Sequence, residues 1–97
     1  MTGFQKAVER FGLSVGPDWC GLDPVLPIID AIRGEGAVVI LKFDGERGPD
    51  DNGQFTVVAS SGPLGADYLR CEGPDLQRCL ERVIGRYYDA VWDTPTQ

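Results

Sequence analysis

The order of apolar patterns along the chain predicts an α+β fold, a three-stranded antiparallel meander with helices packed on one face. Three short apolar segments, rich in β-branched residues and separated by turns, follow one another between positions 37 and 71. Two stretches before them and one long stretch after them carry apolar residues at helical spacing. The predicted order is therefore helix, helix, strand, strand, strand, helix, in which consecutive strands pair as neighbours.

Two helices are predicted in the N-terminal part, residues 1–36. Thr2 opens a capping box, and apolar residues then recur every three or four positions, so the first helix spans about 3–11. Asp23 precedes a proline, which is typical of an N-cap followed by the first helical residue. The second helix is therefore expected over about 24–33.

The rest of the chain is predicted to form a βββα core over 37–92. Strands are expected over about 37–43, 54–60 and 67–71. The first strand is apolar on both faces, which predicts a central strand or one covered on both sides. Asp75 follows a Gly-Pro pair and is expected to open the last, strongly amphipathic helix.

Length and charge limit the classes of protein that this chain can belong to. Its 97 residues make one domain, 1–97, with a tail at 93–97. The formal net charge of −6 repels phosphate backbones, so we expect no direct nucleic-acid binding. The longest apolar run, 37–41, is too short to span a bilayer, and the first residues lack a signal-peptide pattern. We therefore expect a cytoplasmic protein.

The residue types argue against an enzyme. The chain has no histidine, which removes the commonest general base and a common metal ligand. Cys20, Cys71 and Cys79 lack the spacing of a metal site or a disulfide framework, and each is expected to be a buried reduced thiol. We therefore expect no catalytic residues, no cofactor and no metal. An enzyme would have to use carboxylates or a thiol such as Cys71.

Acidic residues concentrate in the loop between the first two strands. They are Asp44, Glu46, Asp50 and Asp51. Their spacing does not fit a calcium loop, which needs a glycine at the sixth position and a distal glutamate. The loop is a solvated hairpin connection, a weak cation site or an acidic docking site for a partner.

Basic residues concentrate on the last helix. Arg78, Arg82 and Arg86 repeat every four residues and form a ridge opposite the apolar stripe. The ridge is either a solvated helix face or a contact surface for an acidic partner or for nucleic acid, although three arginines are too few for strong phosphate binding alone. Gly85 lies inside this helix, where it either permits close approach of another backbone or marks a bend.

The predicted sheet leaves one face without helices. Alternation along the strands assigns to that face Val38, Ile40, Thr56, Val58 and Tyr68. The face is partly apolar, so it is a candidate surface for a second copy of the chain or for another protein. Ile40 and Val58 are the residues on which this prediction depends.

Two family resemblances accompany these patterns. Over residues 37–88, the strand-turn-strand pattern and the segment Glu-Gly-Pro-Asp-Leu-Gln-Arg-Cys-Leu before position 81 resemble HicB-type antitoxin domains, which have a partial double-stranded-RNA-binding-like fold. Asp75, Leu76 and Leu80 fit the opening of that family's last helix, and Arg78 departs from it. More loosely, Asp-Pro-Val-Leu-Pro-Ile-Ile-Asp at 23–30 and the late helix look like small phage accessory proteins of unknown function.

These observations favour a protein-binding module over an enzyme. The resemblances imply an origin in a phage or mobile element, and they supply no catalytic residues. The expected partner is another protein or a second copy of the chain, with no membrane involved. The alternative is an acidic antitoxin or inhibitor that blocks a basic or nucleic-acid-binding partner through the acidic loop.

Overall fold

A three-stranded antiparallel meander forms the sheet of the computed structural model, which describes residues 1–48 and 50–93. Its strands are β1, Val38–Phe43, β2, Phe55–Ser60, and β3, Tyr68–Gly73. They lie in the order β1-β2-β3. The predicted fold class and the order of helices and strands are confirmed.

β1 is an edge strand, so the prediction that it is central or covered on both faces is wrong. It pairs with β2, which is the central strand. Val39 and Leu41 are half-buried against the core, whereas Val38 and Ile40 on the other face are about half exposed, at 48% and 52%. The apolar residues on that second face are therefore present without an element of the described chain to cover them.

The first two helices, α1 and α2, begin in different ways. α1 spans Gly3–Arg10 and opens with the predicted capping box, in which the Thr2 hydroxyl accepts a hydrogen bond from the Gln5 amide at 3.1 Å. α2 spans Leu26–Gly34 and follows a 3₁₀ turn at Asp23–Val25. The Asp23 side chain caps neither element, so its predicted role as N-cap is wrong.

The last helix, α3, spans Leu76–Tyr87 and continues as a π-helical turn, Tyr88–Trp92. The Asp75 carboxylate caps α3 by accepting hydrogen bonds from two backbone amides of the first turn. Within the described residues, no helix has the length and apolar character needed to cross a membrane. Of the predicted tail at 93–97, only Asp93 lies within the described residues.

One apolar cluster joins α3 to the inner face of the sheet. Its buried members on α3 and β2 are Leu76, Cys79, Leu80, Val83, Ile84, Tyr87, Val57 and Ala59. Burying a leucine or isoleucine side chain stabilises the fold by roughly 1.5–3 kcal/mol. Phe43 is 61% exposed and makes an edge-to-face contact with Phe55 at the end of the sheet.

The first helix crosses α3 at a pair of glycines. A Cβ at Gly85 would lie 3.0 Å from the amide nitrogen of Phe4, and a Cβ at Gly3 would collide with the Gly85 carbonyl oxygen. The sequence left two interpretations of Gly85 open, and close approach of another backbone is the one that the structure confirms. Phe4 then stacks on Trp19, with ring centroids 5.8 Å apart, which fixes the loop before α2.

Candidate protein-binding surface

The outer face of the sheet, called here the open face, carries nine side chains in three cross-strand rows. The rows are Val38–Ser60–Tyr68, Ile40–Val58–Arg70 and Lys42–Thr56–Glu72. This assignment confirms the predicted facing of Val38, Ile40, Thr56, Val58 and Tyr68. The helices pack against the other face. The loop after β1 borders these rows at Glu72, which lies 3.9 Å from the Arg47 guanidinium.

Apolar residues are concentrated at one end of the open face, whereas charged residues occupy the other end and, at Arg70, the middle row. Val38 and Ile40 are about half exposed and Tyr68 is 66% exposed. Ser60 lies between Val38 and Tyr68, and the half-buried Val58 lies beside Ile40 in the middle row. At the other end, Lys42 and Glu72 flank the buried Thr56. An apolar area with a charged border on one side is the arrangement found in many protein interfaces.

Two charged residues on β3 complete the open face and were missed from the sequence. Arg70 donates to the Glu72 carboxylate at 2.6 Å. Arg70 belonged to the correct face by strand alternation, but Glu72 lay beyond the predicted end of the third strand. Extending the same alternation to Gly73, where β3 ends, places Glu72 on the open face.

The acidic loop is organised by Arg47, which the sequence analysis did not single out. The Arg47 guanidinium pairs with Asp51 at 2.7 Å and with Asp44 at 3.5 Å. Asp44 also lies 3.5 Å from the Lys42 ammonium. Two of the four predicted acidic residues are therefore paired within the loop and its adjacent strand, which reduces their attraction for an external cation.

Asp44 is held in its charged form by local contacts. Its carboxylate accepts a hydrogen bond from the Glu46 amide at 3.0 Å. This bond foremost, and then Lys42 and Arg47, lower the pKa of Asp44 against an opposing effect of burial. Glu46 and Asp50 are exposed and make no ion pair within the part of the loop that the structure describes.

The arginines of α3 lie along an open groove of about 740 Å³ between α3, the start of α1 and the end of β3. Charged residues that line this groove are Arg78, Arg82, Arg86, Glu72, Asp75, Glu81 and Asp89. All three arginines are exposed, as predicted for a ridge, but four carboxylates accompany them. The groove therefore has mixed charge, and its basic residues do not form a separate cationic surface.

Two tryptophans are anchored by carboxylates. The Trp19 indole donates to Glu81 at 2.8 Å, and the Trp92 indole donates to Glu35 at 2.8 Å. Tyr87 also donates its hydroxyl hydrogen to Glu35. Burial foremost, and then the Glu35 carboxylate, raise the pKa of Tyr87. These contacts give both tryptophans structural positions at the edge of the core.

The cysteines differ in exposure, and the prediction of three buried thiols is wrong for two of them. Cys79 is buried on α3, Cys71 is half-buried on β3, and Cys20 is exposed in the loop before α2. Burial is the main cause that raises the pKa of Cys79 to about 12. Among the described residues, no group of three or more Cys, Asp and Glu side chains is placed to hold a metal ion.

Comparison with known proteins adds no relative to this description. No protein-family model, curated protein or solved structure matches the chain. The resemblances to HicB-type antitoxins and to phage accessory proteins therefore stay predictions.

Proposed function

We propose that this protein is a binding module that contacts a protein partner through the open face of its sheet. The observation that carries the proposal is the exposure of Val38, Ile40 and Tyr68 on one continuous surface. Large apolar side chains that cluster on a surface favour contact with another protein. The partner is a different protein or a second copy of the chain, and the proposed location is the cytoplasm.

The open face can supply a modest free energy of binding. Since Val38 and Ile40 are already about half covered, burying the remainder contributes roughly 1 kcal/mol for each side chain. Association must also offset lost rigid-body freedom and ordered side chains. The expected complex is therefore one of moderate or weak affinity, with Val58 at its centre because β2 lies between the other two strands.

An acidic inhibitor remains the alternative proposal, with less support. Its mechanism would require the loop carboxylates to attract a basic partner. Arg47 already pairs with Asp44 and Asp51, so Glu46 and Asp50 supply most of the charge that remains available. Salt separates the two mechanisms, because attraction between exposed charges weakens steeply with ionic strength and apolar contact does not.

The test compares tagged wild-type protein with the variant Val58→Glu. Each is incubated with source-cell lysate, washed at low and then high salt, and assayed separately for self-association by sedimentation. We expect Val58→Glu to lose the salt-resistant contact that wild type makes. Leu26→Glu is the matched control, because Leu26 is an exposed apolar residue on α2, away from the open face.

Folding of each variant is checked by far-UV circular dichroism. If folded Val58→Glu keeps both self-association and partner binding at wild-type levels, the open face is not the binding surface. If wild type releases its partner at high salt and Val58→Glu behaves identically, the acidic mechanism gains support instead.

A further inference from the structure

We propose that a second copy of this chain covers the open face, with the two-fold axis of the dimer running parallel to β2. The inference rests on the proposed function and names its partner. A homodimer with two-fold symmetry uses the same surface on both copies, so that surface must be complementary to itself. The three rows of the open face meet this requirement in one of the two face-to-face arrangements that keep the strands of both copies aligned.

A two-fold axis parallel to β2 places β1 of one copy over β3 of the other. Residues in the same row then face each other, because the rotation leaves position along the strand unchanged. Lys42 faces the second copy's Glu72, Ile40 faces Arg70, and Val38 faces Tyr68. Val58 lies near the axis and faces its own counterpart.

The facing residues are chemically matched in this arrangement. Lys42 and Glu72 form an oppositely charged pair, and symmetry gives the pair twice. Ile40 contacts the aliphatic stem of Arg70, whose guanidinium stays with Glu72. Val38 packs on the Tyr68 ring.

The other face-to-face arrangement is less favourable. An axis perpendicular to the strands places β3 over β3, so Arg70 faces Arg70 and Lys42 faces Val38. Like charges that face each other oppose association, and Lys42 over Val38 gains no ion partner from the second copy. Charge complementarity therefore selects the axis parallel to β2.

The charge of the whole chain also favours this surface for self-contact. The chain carries a net charge of −6, so two copies repel each other on average. The open face holds two cations, Lys42 and Arg70, and one anion, Glu72. Asp44 lies 3.5 Å from the Lys42 ammonium and offsets its charge, so the open face with its border is close to neutral. Repulsion between two copies is therefore weaker at this face than the average for the acidic molecule.

The size of the open face predicts a weak dimer. Three strands about 4.8 Å apart and five residues at about 3.4 Å each give a footprint of roughly 14 by 17 Å. Stable interfaces bury about 800 Å² on each partner, which is well above this footprint. We expect a dissociation constant for the dimer on the order of 10 μM to 1 mM, which corresponds to a weak complex.

The test exploits the sign of a charge at position 40. In the proposed dimer, Ile40→Lys places a cation against Arg70 twice, and Ile40→Glu places an anion there twice. Sedimentation equilibrium should show self-association of Ile40→Lys on the order of 30-fold weaker than that of Ile40→Glu, since each exposed pair changes from attraction to repulsion. Repulsion between the net negative charges of two copies predicts the reverse order. Ile40→Lys lowers that net negative charge, so it would then associate more strongly than Ile40→Glu.

Leu26→Lys and Leu26→Glu form the matched control, because the same two charges then lie on α2 and away from the open face. Their self-association should depend only on net charge, so Leu26→Lys should associate as strongly as Leu26→Glu or more strongly. Far-UV circular dichroism verifies the fold of all four variants.

Each outcome decides the inference. Wild-type self-association with the predicted order at position 40 supports it. If wild type self-associates and both Ile40→Lys and Ile40→Glu weaken the dimer equally, the proposed axis is wrong. Equal weakening indicates the perpendicular axis, in which residue 40 faces its own counterpart and either charge repels itself. A monomeric wild type at about 1 mM overturns the second copy as occupant. In that case the proposed function survives if Val58→Glu loses a protein that Leu26→Glu keeps, and it fails if neither variant changes binding.

Discussion

Replacing Gly3 with alanine should destabilise the protein, although alanine is the better helix former. Gly3 is the first residue of α1, and helix propensity alone predicts a gain of up to about 1 kcal/mol. In the fold, a Cβ at this position would lie 2.9 Å from the Asp89 carboxylate and 3.0 Å from the Gly85 carbonyl carbon, and closer still to the Gly85 oxygen. Carbon atoms pack best at about 3.5–4.0 Å, so α1 must move away from α3.

The expected net change is a loss of about 1–2 kcal/mol in the free energy of unfolding, since overpacking costs about 1–3 kcal/mol and propensity returns part of it. Urea unfolding followed by far-UV circular dichroism measures the change. Gly34→Ala is the matched control. Gly34 ends α2, and nothing lies within 4 Å of the place that an alanine Cβ would occupy, so alanine there should be neutral or stabilising. A Gly3→Ala protein as stable as wild type would refute the close crossing of α1 and α3.

Two further predictions concern the contacts around Glu35. Glu35→Ala should lower the free energy of unfolding by about 1–3 kcal/mol, because Tyr87 and Trp92 lose their shared acceptor. Urea unfolding measures this change, and an unchanged free energy would show that the two hydrogen bonds do not stabilise the fold. Tyr87→Phe should remove the decline in the free energy of unfolding that the Tyr87 hydroxyl causes at alkaline pH. The pKa of Tyr87 is raised on folding, so its contribution is complete below the unfolded pKa of about 10 and declines as pH rises above it. The stability difference between wild type and Tyr87→Phe should therefore narrow above pH 10 by up to about 1.4 kcal/mol per pH unit, and a constant difference would contradict the assigned shift.

Local signals in the sequence were sufficient to predict where α1 begins, but they did not predict the start of α2 correctly. The capping box depends on residues three positions apart, so the sequence contains all of its parts. The start of α2 was misplaced because of Pro27. A helix capped by Asp23 would need the missing Pro27 amide to donate to the Asp23 carbonyl, whereas a helix that begins at Leu26 places Pro27 in the first turn, where no donor is needed.

Contacts between distant segments were beyond prediction. Glu35 accepts hydrogen bonds from Tyr87 and Trp92, which lie 52 and 57 positions away. Nothing in the local pattern around Glu35 indicates these partners. The apolar faces of β1 were equally ambiguous, because a strand covered on both sides and an edge strand with an exposed binding face have the same composition. The residues of the open face could be named from alternation, but their exposure depended on where α3 packs.

The edges of the sheet favour face-to-face association over the addition of strands. β1 and β3 are both edge strands, and unpaired edges can recruit strands from other chains. Each is only six residues long, and exposed charged residues, Lys42 on β1 and Arg70 on β3, interrupt their apolar pattern. Short edges with charged side chains are a common protection against edge pairing. In the proposed dimer, these charges favour association at the open face, where the two-fold axis parallel to β2 brings Lys42 to Glu72 of the second copy. One set of side chains can therefore oppose aggregation at the edges and select a single partner orientation on the face.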